Sequence, residues 1–264
     1  MRDREPDGVV ITGVAAAACL GTDADSIWRG VLAGTCGMAP MPAVESPLPP
    51  GSIGGQAAEL PTHYRNDLPR EARYLRWTVE AAMRDAGVTP TGERRARTTA
   101  LLGTTLHGIR AGGRYLRTNE VQELKSFLAG ATAKLALSGL GIEGGMLTTC
   151  SACSSSLGAV ALGVTLLESG AADVVIAGGY DAMSEYAWAG FNSLRLIADG
   201  PLRPFCRGRT GMKVAEGYGV VVLERARDAA SRGARARAMI AGWGESADAH
   251  HLTQPHPQGE GALA

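Results

Sequence analysis

The sequence predicts an α/β layered fold with a largely buried sheet. Short, nearly continuous apolar runs of the buried-strand kind recur along the chain. Between them lie segments with apolar residues at helical spacing. Strands alternating in this way with helices put helical layers against a covered sheet. The bulk composition agrees. At 264 residues with 45% apolar, 20% charged and 5% aromatic content, the chain is long enough for a large core in one or two domains.

Val9–Val14 is the first strand signal, an apolar run closed around Gly13. Thr22-Asp23-Ala24-Asp25 then opens a helix, with Ile27, Trp28, Val31 and Leu32 at helical spacing. Residues 38–68 are rich in proline and glycine and read as an extended loop. Arg70 to Ala86 is an amphipathic helix with Tyr74, Leu75, Val79, Ala82 and Met83 on one face, ending at Gly87. Thr98–Gly103 is a strand. Val121 to Leu137 reads as a helix with Leu124, Phe127, Leu128, Ala131 and Leu135 in register. Met146–Thr149 is a short β-like run, followed by a helical run from Ala159 to Glu168. Asp173–Gly179, Gly219–Glu224 and Arg237–Glu245 are further strands, and Ala226–Arg232 is a short basic helix.

Formal net charge is zero, from 26 basic and 26 acidic side chains, so no global field favours nucleic acid or anionic lipid. Arg203, Arg207, Arg209 and Lys213 still form a local basic patch in sequence. Five scattered cysteines form no disulfide framework, Met1 to Gly8 is polar rather than signal-like, and no apolar stretch reaches membrane-spanning length. A reducing cytoplasm is the expected location.

The chemistry concentrates at Ser151-Ala152-Cys153-Ser154-Ser155-Ser156-Leu157-Gly158. A thiol there lies after a strand, in a turn of small residues, before a helix. Unpaired N–H groups and the helix dipole at such a position favour the thiolate, the nucleophilic form. Cys153 is therefore a candidate nucleophile for acyl transfer. Cys150 and Cys153 also make a C-x-x-C pair, open to a redox reading, to half of a metal site, or to two inert buried thiols. No second C-x-x-C and no histidine at zinc-finger spacing accompanies it. His250, His251 and His256 cluster beside Asp248, as a pocket wall, a general base, or a polar loop punctuated by Pro255 and Pro257. His63 and His107 carry no motif. Arg203-Pro204-Phe205-Cys206-Arg207, running into Glu216-Gly217-Tyr218-Gly219, is a glycine-punctuated loop whose spacing fits no P-loop.

Taken together these segments resemble the β-ketoacyl synthases of the thiolase-like superfamily, the condensing enzymes of fatty-acid and polyketide synthesis. The likeness rests on Val9–Val14 with Leu20-Gly21 and the Trp28 helix, on Thr149–Ser155, and on Gly170–Gly179. Arg203-Pro204-Phe205 with Ala215–Glu224, and Ser246–Thr253, complete it. The resemblance implies the N-terminal half of a thiolase-like fold: a five-stranded mixed sheet with helices on both faces, plus the first strand of the C-terminal half. Residues 1–236 then form the first half-domain and 237–264 begin the second. Cys153 falls on the active-site cysteine, and His251 on the loop beside the acyl pocket. No metal or cofactor enters this reading.

The family's two catalytic histidines, in His-Gly-Thr and Gly-His type motifs, are expected beyond Ala264, as are its phenylalanine-bearing gate and a lysine. Cys206, Gly208 and Thr210 replace the acidic loop usual after Arg203-Pro204-Phe205, and Gly145 stands where proline is usual. The implied function is the nucleophile-bearing subunit of a split β-ketoacyl synthase, an acyltransferase. Its implied partners are an acyl carrier protein and a complementary C-terminal ketosynthase subunit in a hetero-oligomer. The alternatives are a non-catalytic, chain-length-setting partner of a ketosynthase heteromer and an inactive truncated product.

Overall fold

The computed structural model describes residues 8–264 except 42, 43, 45–47, 107, 252 and 253. In chain order the strands and α-helices are β1 (Val9–Ala17), α1 (Ala24–Leu32), α2 (Arg70–Ala86), β2 (Thr98–Gly103), α3 (Ile109–Thr118), α4 (Ala129–Leu137), β3 (Met146–Thr149), α5 (Ser155–Glu168), β4 (Val174–Asp181), α6 (Glu185–Ser193), β5 (Gly217–Arg225), α7 (Ala226–Ser231), β6 (Ala238–Ile240) and α8 (Glu260–Leu263). The strands form one mixed sheet in the order β3-β2-β4-β5-β1-β6. β2 pairs in parallel with β3 and β4, and the other neighbours are antiparallel. Five strands thus precede β6, which joins the same sheet beside β1.

Alternation along the strands sends side chains to two cores. Ala100, Leu102, Val174, Ile176, Val220 and Val222 face α2 and α4, packing against Leu75, Val79, Met83 and Ala133. Leu101, Val175, Ala177 and Leu223 face the other way, against Ala159, Val164 and Leu167 of α5. Each large apolar side chain buried in this way is worth roughly 1.5–3 kcal/mol before the cost of ordering it.

Charged groups close the rims. Glu216 is buried before β5, accepting from the Arg70 guanidinium at 2.5 Å and from the backbone N–H groups of Ala57 and Met183. At the start of β4, Asp173 receives hydrogen bonds from Arg97 and Arg225, and these hold its carboxyl down to about 2 against desolvation.

Three sequence readings need correction. The helix expected over Val121–Leu137 is two pieces, a 3₁₀ segment Val121–Ser126 and α4. Leu128 is extended at the junction (ψ 135°), and Gly108, just before α3, packs against the backbone of Ser126 and Phe127. Turning Phe127 onto Gly112 of α3 breaks the register. The strand expected over Arg237–Glu245 is only three residues. β6 pairs Ala238–Ile240 with Ile11–Val9, so it runs off the start of β1 and loses its partner beyond Ile240. The helix after Cys153 begins earlier than Ala159, at Ser155. Three helices, α3, α6 and the short α8, carried no reading at all.

Candidate functional site

The candidate site is built where parallel strands end. β2, β4 and β3 finish at the same edge of the sheet, with Gly103 paired to Gly179 and Gly103 to Thr149. The start of α5 rests directly on these glycines. A Cβ at Gly103 would lie 2.3 Å from the Ser155 carbonyl carbon, and one at Gly179 would lie 2.0 Å from Ser156 Oγ. Any side chain at either position would push α5 off the strand ends.

Between β3 and α5 the chain turns sharply. Cys150, Ser151, Ala152 and Cys153 occupy the turn, and Ser154 is the N-cap residue of α5. Ala152 has φ +50°, a left-handed conformation that costs a non-glycine residue of order 1–3 kcal/mol and survives only where the surroundings enforce it. Its carbonyl accepts from Ser155 N at 3.2 Å, Ser155 Oγ at 2.6 Å and Thr105 Oγ1 at 2.8 Å. Ser155 Oγ in turn accepts from the Ser151 N–H, and Ser154 Oγ donates to the Ser151 carbonyl and hydroxyl. Thr149 Oγ1 donates to the Ser155 carbonyl, tying the strand end to the helix start. The run of serines thus satisfies the backbone of a strained turn, and Cys153 stands exposed on it, directly before the N-cap.

Two clefts flank this turn. The larger, about 900 Å³, lies between α5 and the segment after β6; Ser151, Ser154, Leu157, Ile240, Trp243 and Glu245 are among its lining residues. The smaller, about 450 Å³, is lined by Ser156, Asp181, Tyr218 and glycines 179, 217 and 219. None of the described histidines lines either cleft.

His251, expected beside an acyl pocket, is exposed and its Nδ1 accepts from the Gln254 N–H. The His250 and His256 rings meet edge to face at 4.8 Å, the His256 N–H donates to Asp248, and His256 lies 3.6 Å from Glu260. These contacts describe a polar loop. Cys150 and Cys153 are both exposed free thiols. His107, Leu252 and Thr253 lie outside the described residues, as do Met1–Asp7. Among the described residues no three His, Cys, Asp or Glu side chains are placed to hold a metal, and no helix is long and apolar enough to cross a membrane.

The family model described as "Beta-ketoacyl synthase, N-terminal domain" matches residues 7–229. The chain belongs to the β-ketoacyl synthase family. It is 35% identical over 269 residues to nodulation protein E of Rhizobium meliloti (strain 1021), covering 95% of this chain and 66% of that protein. It is 28% identical over 276 residues to a 3-oxoacyl-[acyl-carrier-protein] synthase 2 of Staphylococcus aureus (strain N315), covering 96% and 66%. Among solved structures, the ishigamide ketosynthase/chain length factor superposes with a TM-score of 0.86 at 26% identity, covering 97% of this chain and 68% of that one. The chain therefore spans about 66% of the length of these two curated relatives. The match covers both the α2 and α5 layers, so the thiolase-like N-terminal architecture implied by the sequence is the one observed.

Sequence reasoning singled out the cysteine but missed its supports. Thr105 and Asp181 carry no motif. Their signal was positional: Asp181 is the last residue of β4 and Thr105 lies in the loop just after β2, at the carboxyl ends of parallel strands, where α/β sheets place their ligand sites.

Proposed function

We propose that this chain is the nucleophile-bearing part of a β-ketoacyl synthase, and that Cys153 is its acyl acceptor. The observation that carries this reading is the exposed Cys153 thiol on the strained Ala152 turn, directly before α5. In the proposed step the Cys153 thiolate attacks the carbonyl carbon of an acyl thioester. A carbon–sulfur bond to Cys153 forms, the bond to the donor thiol breaks, and the donor leaves as the free thiol after taking up a proton. An acyl carrier protein is the proposed donor, in keeping with the name of the Staphylococcus relative.

Condensation has a second part, the decarboxylation of a malonyl thioester to an enolate whose charge needs stabilising donors. We assign that part to histidines supplied by a complementary ketosynthase polypeptide. Uncovered apolar side chains support such a partner: Leu157 on α5, Trp243 across the larger cleft, and Leu124, Phe127, Leu128 and Leu135 around α4 are all exposed. A solved relative bearing both ketosynthase and chain length factor in its description is in keeping with a heteromer.

Intact-protein mass spectrometry after incubation with an acyl-loaded carrier protein tests the assignment. One acyl adduct is expected, lost in Cys153→Ala and kept in Cys150→Ala. The opposite pattern overturns the nucleophile assignment, and no adduct on the wild type favours a non-catalytic partner role.

A further inference from the structure

We propose that Thr105, anchored by Asp181, is a positioning residue that sets the orientation of the Cys153 peptide for acyl transfer. This rests on the reading of Cys153 as the acyl acceptor. Most hydrogen bonds at the turn are local. Those among Ser151, Ala152, Ser154 and Ser155 join residues within the turn and would travel with it. Thr105 is different: it follows β2, and its hydroxyl crosses to the Ala152 carbonyl at 2.8 Å, tying the left-handed residue to the sheet.

Thr105 is itself held. Asp181, the last residue of β4, accepts at Oδ1 from Thr104 Oγ1 (2.7 Å), from the Thr105 N–H (3.1 Å) and from the Leu106 N–H (2.7 Å). β2 and β4 are paired in parallel up to Gly103 and Gly179, so the sheet brings this carboxylate to the loop after β2. A carboxylate accepting several N–H and O–H donors makes a rigid anchor, because each bond is charge-assisted. The chain of contacts runs from Asp181 through the Thr105 backbone to its hydroxyl, and then to the peptide joining Ala152 to Cys153.

That peptide is trans, so its carbonyl and its N–H point in opposite directions. Pinning the Ala152 carbonyl toward Thr105 therefore fixes the direction of the Cys153 N–H. This N–H has no acceptor among the described residues. A fixed, uncommitted donor beside a nucleophile stabilises negative charge developing on a substrate oxygen, and only if its direction is held. Alkylation of the same thiol by iodoacetamide develops no such oxyanion. The two reactions thus separate orientation of the peptide from mere exposure of the sulfur.

The test uses the purified full chain, wild type, Thr105→Val and Thr105→Ser, with an acyl N-acetylcysteamine thioester and, in parallel, iodoacetamide. Adducts on Cys153 and Cys150 are quantified by peptide mass spectrometry. Thr105→Val is expected to slow acyl transfer to Cys153 about five- to tenfold, the scale of one lost hydrogen bond at a reacting group. It should leave alkylation of both cysteines within about twofold, and Thr105→Ser should restore acyl transfer to within about twofold, because the hydroxyl returns. Unchanged acyl transfer in Thr105→Val overturns the inference while leaving Cys153 as the acceptor. A parallel fall in alkylation, or failure of the serine to rescue, assigns Thr105 a purely structural role and also overturns it. A wild-type chain that takes up no acyl group on Cys153 removes the acceptor reading and the inference with it.

Discussion

Helices α1 and α2 present the same kind of sequence signal and meet opposite fates. Both are amphipathic, and both are followed by a glycine within two residues of their last turn. α2 buries ten residues, among them Tyr74, Leu75 and Val79, against the sheet. α1 buries none: Trp28 is 60% exposed, Val31 53% and Leu32 68%. α1 is sustained locally, by Asp23 accepting from the Ser26 N–H at its start, whereas α2 has no side-chain cap and is held by what it packs on. Periodicity locates the apolar face of a helix but does not say whether the surface that covers it belongs to the same chain.

The largest expected effect lies at the start of α2. Arg70→Met leaves the Glu216 carboxylate buried without its guanidinium partner and should cost about 3–5 kcal/mol in urea denaturation. A loss below about 1 kcal/mol, the size expected of a surface pair, would mean that α2 is not locked through this contact.

The next effect sets the two helices directly against each other. Leu75→Ala should destabilise the chain by about 2–5 kcal/mol, since the side chain is fully buried and leaves a cavity. Leu32→Ala should stay within about 0.5 kcal/mol, as for a surface position. Equal losses at Leu75 and Leu32, read as shifts in the denaturant midpoint at constant slope, would break the comparison.

The smallest effect belongs to a half-covered case. Asp173 titrates near 2 in the folded chain, chiefly because of its hydrogen bond from Arg97, against 3.8 ordinarily. The stability it contributes is therefore complete above about pH 4 and lost as pH falls from there through about 2. Its side chain is 36% exposed, so Asp173→Asn should cost less than about 1 kcal/mol at neutral pH and flatten the acid limb of the stability curve. An acid limb identical in wild type and variant would show that the rim contributes nothing.

The fold was legible wherever a residue pattern and its partner coincide within the chain. Thr98–Gly103 and Arg70–Ala86 fall on their predicted bounds because burial enforces both periodicities. Met146–Thr149 was readable despite its brevity, since turn residues follow it. The stretch around Phe127 was not, because its break depends on the approach of Gly108 and Gly112 from α3, which no local pattern encodes. β6 was over-extended for a similar reason: its length is set by where β1 begins. At the candidate site, Cys153 was visible through its small, polar neighbours. Thr105 and Asp181 acquire meaning only when β2 and β4 are brought side by side.

The placement of β1 has a consequence for synthesis. It is the first strand made, yet it lies between β5 and β6, and Ala17 pairs with Tyr218, roughly 200 residues downstream. At typical elongation rates β1 waits about 10–40 s for its neighbour to leave the ribosome. The parallel trio β2, β3 and β4, with α3, α4 and α5 in its crossovers, is complete at Asp181, before β5 begins at Gly217, and forms the earliest sheet. During that interval α2 has emerged beside β1, with its apolar face still lacking the β5 surface it finally covers. The nascent chain is consequently most vulnerable to aggregation in the middle of its synthesis, and it is the late arrival of β5 that ends this vulnerability.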